Sequence, residues 1–205
     1  MTEDLLIKVE AAANDSVIVE ILARLKDGLD ASLCYHCPAH TEDVVQQTLT
    51  LATLDSLDTH SMLLLAIAAA FHDAGFLATR SGHERISADM AATAMSADQR
   101  FSQADIELVG AMIMDTEVYQ TGAVHRPKTN LSPWLLDADL ANFGRDDFFE
   151  QFYLVAKENK ITPENMVLPT LDLMDRHTWQ SPAGRACFDQ KKRANRQALT
   201  EALSR

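Results

Sequence analysis

Residues 59–73 read THSMLLLAIAAAFHD, an apolar run that ends in a histidine and an aspartate. The segment from Ser61 to His72 is apolar on nearly every side, which is typical of a helix buried at the centre of a protein. Asp58 or Thr59 can cap the start of this helix, because both side chains carry oxygens that accept backbone N–H groups. The stretch therefore predicts a central helix around which the rest of the chain packs.

The composition of the chain also favours helices. Its 205 residues include only 7 Gly and 6 Pro, and aromatic residues make up 6%. Ala and Leu are abundant and form helices readily, whereas aromatic and β-branched residues favour sheets. This length suffices for one domain with a substantial core, so we predict a single all-α domain over residues 1–205. The predicted helices are Ser16–Lys26, Thr41–Leu54, Ser61–His72, Glu84–Met95, Ser102–Met114, Pro133–Phe143, Asp146–Glu158, Pro163–Arg176 and a basic C-terminal helix, after a short amphipathic segment at residues 3–13.

The net charge restricts the partners that we expect. The formal charge is -12 and the sequence pI is about 4.9. Such a surface repels nucleic-acid phosphates and anionic lipids, so neither a nucleic-acid polymer nor a membrane is an expected partner. The opening MTEDLLIKV lacks the basic region and apolar run of a secretion signal, and the three cysteines do not have the spacing of a disulfide framework. These features predict a cytoplasmic location.

The two polar residues that end the apolar run require a partner. His72 and Asp73 follow a segment that is expected to be buried, and a buried carboxylate is costly unless it is paired or binds a metal. An aspartate at the C-terminal end of a helix also opposes the helix dipole. Imidazole and carboxylate ligands suit Mn, Fe, Co, Ni, Zn or Mg ions. The pair therefore predicts a metal site at the end of the central helix.

Further histidines and acids lie near the ends of other predicted helices. Asp137 and Asp139 belong to the apolar stretch LLDADLANFG, where a core would otherwise reject acids. Because they are two residues apart, a helix points them about 200° apart and only one can face a given ion. The other candidates are His36, His40, His83 and Glu84.

Taken in order, these residues resemble the HD-domain metal-dependent phosphohydrolases. The family pattern is a histidine, then a His-Asp doublet, then a distant aspartate, all on helices of one bundle. The stretches CYHCPAHTEDVV, HERISADMA, GAMIMDTEV and LLDADLANFGRDDFFE are similar to four motifs of one subgroup. The resemblance runs from about Leu29 to Glu158, and it implies an HD-type bundle of seven to nine helices with its core at about residues 29–158.

The resemblance also implies a set of metal ligands. In this sequence they are His40, His72, Asp73 and Asp139, which would hold one divalent ion. Asp73 can bridge to a second ion where one binds, and His83 is the candidate ligand for that ion. Such an ion activates a bound water and polarises a phosphoryl oxygen.

Further roles follow from the same resemblance. His36 matches the histidine that protonates the leaving oxygen in the cyclic-nucleotide phosphodiesterase branch, and Glu84 would orient the attacking water. With Asp73, these residues form the predicted catalytic group. The predicted activity is hydrolysis of a small phosphate ester, a phosphomonoester or phosphodiester of nucleotide type. A second copy of the chain, forming a homodimer, is a further possible partner.

The chain also departs from the family pattern. Glu117 stands where the subgroup often has a lysine, and the region around Asp115 lacks the further histidines of strongly binuclear members. Ala74 and the residues after it do not form the acidic pair of the alarmone hydrolases. The alternative function is therefore a catalytically silent module that binds metal or nucleotide. A di-iron oxygenase on the same fold would need more histidines than His125 in this region.

Simpler interpretations apply to the remaining candidates. Cys34 and Cys37 form a C-x-x-C without the surrounding pattern of a redox protein, so we predict free, buried or half-buried thiols. His125 and His177 are predicted to be solvated, and His60 to start a helix. By position alone, the residues expected to meet a substrate phosphate are Arg80, Arg145 and Lys128.

Overall fold

The computed structural model describes residues 9–202, and in this part of the chain all regular secondary structure is helical, with no β-strand. The prediction of an all-α fold is confirmed. Residues 9–13 are helical, and the predicted segment at residues 3–8 lies outside the described residues. Two 3-10 helices span Ala74–Leu77 and Ala141–Gly144. The α-helices from Ser16 onward are α1 (Ser16–Gly28), α2 (Pro38–Leu54), α3 (Thr59–Phe71), α4 (His83–Ser96), α5 (Gln103–Asp115), α6 (Ser132–Asp139), α7 (Phe148–Glu158), α8 (Pro163–Arg176) and α9 (Pro182–Ala202).

Helix α3 is the centre of the fold. Nine of its 13 residues are buried, and the helix contacts α1, α2, α4, α5 and α6. Its start is capped as expected, since the Ser61 N–H donates to Asp58 Oδ1 over 3.0 Å. The stretch Thr59–Leu77 has the length and apolar character of a membrane span, but 72% of its most apolar window is buried inside the protein. The apolar side chains of this stretch therefore pack in the protein core.

Two helix ends differ from the predicted boundaries in ways that affect the candidate site. Helix α2 begins at Pro38, three residues before the predicted start, because a proline in the first turn needs no intrahelical N–H bond. His40 is therefore part of the first turn. The segment predicted as one helix from Pro133 to Phe143 is divided, since α6 ends at Asp139 and a 3-10 helix follows. Asp139 thus becomes the last residue of an α-helix.

The C-terminal helix α9 lies against the second 3-10 helix, α8, α2 and α6. Asp137 of α6 is 0% exposed and points towards the start of α9. Its carboxylate accepts hydrogen bonds from the N–H groups of Gln180 and Ser181, both over 2.7 Å, and from the Ser181 hydroxyl. A Cβ at Gly184 would lie 2.1 Å from this carboxylate, so only glycine permits the close approach. Of the two acids in this stretch, Asp137 therefore anchors α9.

The prediction that His125 and His177 are solvated is wrong. Each is only 4% exposed. The His177 ring lies between the rings of Phe143 and Trp179, at centroid distances of 5.6 and 4.4 Å. Its Nδ1 is 3.0 Å from the ammonium nitrogen of Lys192. Phe143 and Lys192 are distant from His177 in sequence, so these contacts could not be read from its neighbours along the chain.

Acid is expected to destabilise the protein through His177. Burial, followed by the charges of Lys192 and His125, lowers the pKa of His177 to about 2. In the unfolded chain its pKa returns to about 6.5, so below that pH the unfolded state binds a proton that the folded state does not. Stability is therefore lost as the pH falls, by about 1.4 kcal/mol per pH unit below about 6.5. Urea unfolding at pH 7.0, 6.0 and 5.0 measures this slope.

In His177→Asn the free energy of unfolding should fall less steeply with falling pH than in the wild type. This expectation does not depend on the stability of the variant at pH 7. The matched control is His60→Asn, because the His60 side chain is 59% exposed and lies outside the core. Equal slopes in the wild type and His177→Asn would contradict this account.

The cysteines are free thiols, as predicted. Cys34 and Cys37 are half-buried, and Cys187 is exposed. The Cys34 thiol donates weakly to the carbonyl groups of Ser32 and Leu154, at 3.7 and 3.8 Å. These contacts join the loop before α2 to α7.

Candidate metal centre

His40, His72 and Asp139 form a group that could hold a metal ion. Each offers one ligand atom, and these atoms lie within 4.8 Å of one another. Asp139 Oδ1 is 3.3 Å from His40 Nε2 and 3.5 Å from His72 Nε2. The three residues come from the start of α2, the end of α3 and the end of α6. Three helix ends therefore meet at one point.

Asp73 joins this group through one oxygen and extends it through the other. Its Oδ2 is 3.3 Å from His72 Nε2 and 3.7 Å from His40 Nε2. Its Oδ1 is 3.2 Å from His83 Nε2. The α-helical conformation ends at Phe71, and Asp73 has φ -104° and ψ 5°. This unwinding lets two adjacent side chains converge, which a regular helix does not allow.

A hydrogen bond sets the orientation of the His72 ring. His72 Nδ1 is 2.7 Å from the carbonyl oxygen of Ala69. A carbonyl can only accept, so Nδ1 carries the hydrogen, and in the neutral ring Nε2 keeps its lone pair. That lone pair is directed towards Asp73 and Asp139. The same arrangement, in which a backbone carbonyl fixes the tautomer, is usual for metal-binding histidines.

The buried atoms of the group lack hydrogen bonds. His40 Nε2, His72 Nε2 and Asp73 Oδ2 are all buried, and none has a hydrogen-bond partner among the described residues. Leaving such atoms unpaired is costly, so native proteins rarely do so without a reason. A cation placed among them would be coordinated by each. The donor set of imidazole nitrogens and carboxylate oxygens therefore fits a metal ion.

The pKa shifts show that the group stabilises positive charge. Burial opposes protonation of His72, but the negative charges of Asp73 and Asp139 raise its pKa well above the usual value. Burial also opposes ionisation of Asp73, yet the adjacent His72 and His83 hold the pKa of that carboxyl well below its usual range. The pKa of Asp139 is lowered as well, since His40 and His72 outweigh its burial. Both carboxylates therefore remain ionised beside the imidazoles.

A close contact between backbones brings His83 to Asp73. A Cβ on Gly75 would lie only 2.1 Å from the His83 carbonyl oxygen, so glycine allows the 3-10 helix to touch the start of α4. The Gly75 N–H donates to Ser87 Oγ over 2.8 Å and fixes this contact. Glu84 lies behind His83, with Oε2 3.7 Å from His83 Nδ1. Glu84 is thus near the ligand group but contacts it through His83.

His36 lies beside the ligand group and is held by a buried acid. Its ring stacks on Phe76 at 4.5 Å, and its centroid is 6.0 Å from that of His40. His36 Nδ1 is 2.5 Å from Glu158 Oε1. The other oxygen, Glu158 Oε2, accepts the N–H groups of Tyr35 and His36 over 2.7 and 3.0 Å. One carboxylate therefore fixes both the ring and the backbone of His36.

Sequence reasoning missed Glu158. Its position at the C-terminal end of α7 opposes the helix dipole, which is the same signal that drew attention to Asp73. Burial opposes protonation of His36, but its hydrogen bond to Glu158 and the charges of Asp73 and Glu158 raise its pKa. His36 therefore stays protonated to a higher pH than a free imidazole does.

A pocket of about 370 Å³ opens beside the ligand group, and its walls include His40, Asp139 and Arg145. The Arg145 guanidinium bonds to Asp43 and to Asp147, each over 2.6 Å. Of the three basic residues expected to meet a phosphate, Arg145 is the one that lines this pocket.

The other two basic residues lie elsewhere. Arg80 Nη1 is 3.6 Å from Glu158 Oε1, beside His36, and its side chain is 50% exposed. The Lys128 ammonium is 3.9 Å from Asp115. Asp115 itself is buried and accepts hydrogen bonds from the Lys128 N–H and the Ser132 hydroxyl. It therefore ties the loop before α6 to α5, while Glu117 is exposed.

A comparison with protein-family models and one with curated proteins each found no match to this chain.

Proposed function

We propose that the protein is a metal-dependent phosphohydrolase with an HD-type helical bundle. The observation that supports this most strongly is the convergence of buried, unpaired imidazole and carboxylate atoms at three helix ends. The order of these residues along the chain matches the ligand order of that family. The adjacent pocket has the volume of a small-molecule site, since such sites typically measure about 300–1,000 Å³.

In this proposal His40, His72, Asp73 and Asp139 hold one divalent ion, of Mn, Fe, Co, Ni, Mg or Zn. When bound, the ion supplies an activated water and polarises a phosphoryl oxygen. Asp73 uses its second oxygen to approach His83, 3.2 Å away, so the same carboxylate can serve a second ion with His83 as ligand. At least one ion is needed, because a single ion bound by His40, His72, Asp73 and Asp139 gives every buried, unpaired atom of this group a partner.

The chain's own residues then bind the substrate and transfer a proton. Arg145 faces the pocket and attracts a phosphate, while Asp43 and Asp147 keep its guanidinium in place. His36, positioned by Glu158, donates its proton to the leaving oxygen. Glu84 acts through His83 and helps to orient the attacking water.

Metal analysis and a substrate panel test this function. Protein purified without chelator is expected to contain about one equivalent of a divalent metal, because four side chains converge on one point. It should also hydrolyse at least one member of a panel of phosphomonoesters, cyclic nucleotides, cyclic dinucleotides and nucleoside triphosphates, each tried with Mn, Fe, Co, Ni, Mg and Zn. A metal-free wild-type protein that no added metal activates would overturn the proposal.

The alternative is a silent module that binds metal or nucleotide. The exposed Glu117, at a position where the resembling subgroup often has lysine, favours this reading. Full metal content with no turnover on any member of the panel would support it. A measurable rate that disappears in His72→Ala would exclude it.

A further inference from the structure

A second, smaller pocket lies next to the first. It has a volume of about 140 Å³ and is lined almost entirely by apolar side chains. Tyr35 and Asn142 line both pockets, so they form the wall between them. His36 also lines the smaller pocket. The apolar side chains that surround it include Leu140, Phe143, Phe148, Phe152, Met166 and Leu173.

Asn142 carries an unused hydrogen-bonding group at this wall. The residue is 9% exposed, and its Oδ1 is buried with no hydrogen-bond partner. Among the described residues its side-chain amide makes no hydrogen bond, in contrast to Asn195, which bonds to two carbonyl oxygens nearby. A buried amide oxygen without a partner destabilises the folded protein. A ligand with an O–H or N–H group would satisfy it once the side chain turned this oxygen into the pocket.

We propose that the smaller pocket binds the organic part of the substrate, and that this part is a single aromatic ring with a hydrogen-bond donor that reaches Asn142. The inference rests on the proposed function, since the phosphate of the same molecule occupies the larger pocket. His36 lines the smaller pocket, and its ring centroid is 6.0 Å from that of His40, which lines the larger one. The substrate class is therefore phosphate esters of small aromatic or heteroaromatic alcohols.

The size and lining of the pocket support one ring. An engineered apolar cavity of about 150 Å³ in another protein binds benzene. A pocket of about 140 Å³ is of the same size, whereas a fused two-ring group would require the walls to move. Sugar phosphates, which carry hydroxyl groups on every side, would leave most of these groups unpaired against apolar walls.

Binding of phosphonates tests the ring without requiring turnover, because their P–C bond is not hydrolysed. Calorimetry is carried out on the metal-loaded protein with benzylphosphonate and with methylphosphonate. Burial of the ring should make benzylphosphonate bind about tenfold more tightly or better. In Leu173→Phe, which fills the pocket, this preference should disappear. The matched control Leu168→Phe changes the same helix at a residue that is 66% exposed and should keep the preference.

The role of Asn142 is tested with the three isomers of hydroxybenzylphosphonate. At least one isomer should bind about five- to tenfold more tightly than benzylphosphonate, as expected for one added hydrogen bond. Asn142→Leu keeps the size of the side chain and should abolish that gain while the affinity for benzylphosphonate is unchanged. Because the substitution removes an unpaired buried oxygen, the melting temperature should not fall. If the amide had a structural role, the melting temperature would fall.

The outcomes separate this inference from the proposed function. Equal binding of benzylphosphonate and methylphosphonate, in a protein that hydrolyses phosphate esters, would overturn the aromatic pocket and leave the function standing. A gain from the hydroxyl group that survives in Asn142→Leu would overturn the role of Asn142. A protein without turnover that still shows both preferences would retain the subsite and lose the hydrolase assignment.

Discussion

Asp73→Asn is expected to release the metal ion and to lower turnover by about a thousandfold or more. A bound metal supplies several kcal/mol of transition-state stabilisation, and each tenfold in rate corresponds to about 1.4 kcal/mol. The asparagine keeps the shape of the side chain but loses the charge that lies 3.3 Å from His72 Nε2. Elemental analysis of the purified variant, together with its turnover on the best substrate, measures both effects.

The control for this substitution is Asp89→Asn. The Asp89 side chain is 64% exposed and pairs with Arg85 on the surface of α4. This control should retain wild-type metal content and turnover, and circular dichroism should show native helix content in both variants. Full metal occupancy in Asp73→Asn would contradict the ligand role of the carboxylate.

His36→Ala is expected to retain the metal ion and to lower turnover by about 100- to 10,000-fold, the range typical of a lost general acid. The metal stays because His36 is not part of the ligand group, and its ring centroid is 6.0 Å from that of His40. The pH profile gives a second readout. A general acid must be protonated, so wild-type turnover should fall as the pH rises through the raised pKa of His36. That alkaline decline should be absent in the variant.

His60→Ala is the matched control for His36→Ala, since the His60 side chain is 59% exposed and pairs with Asp105 at the surface. It should leave metal content, turnover and the pH profile unchanged. A His36→Ala variant with retained metal and an unchanged rate would refute the role of His36 as the proton donor.

Local features of the sequence determined the all-α fold, and the family resemblance predicted the meeting of three candidate ligands. The run that ends in His72 has the all-round apolarity of a central helix, and nine of the 13 residues of α3 are indeed buried. His40, His72 and Asp139 each stand at or next to a helix end, and the structure brings their ligand atoms within 4.8 Å. The spacing of Asp137 and Asp139 also implied that only one of them could join this group. Periodicity and helix-end chemistry suffice for the helices and for the polar end of α3, because they depend on neighbours along the chain. The choice of His40 and Asp139 as ligands came from the family resemblance.

Only the tertiary structure decided what the remaining polar residues do. Asp137 anchors α9, and His177 is buried against Phe143. Glu158 holds His36 from more than a hundred residues away, and Asn142 is left without a partner between two pockets. Burial and hydrogen-bond partners at these positions come from helices that are distant in sequence. Patterns between neighbouring residues carry no information about such contacts, so only the packed helices reveal them.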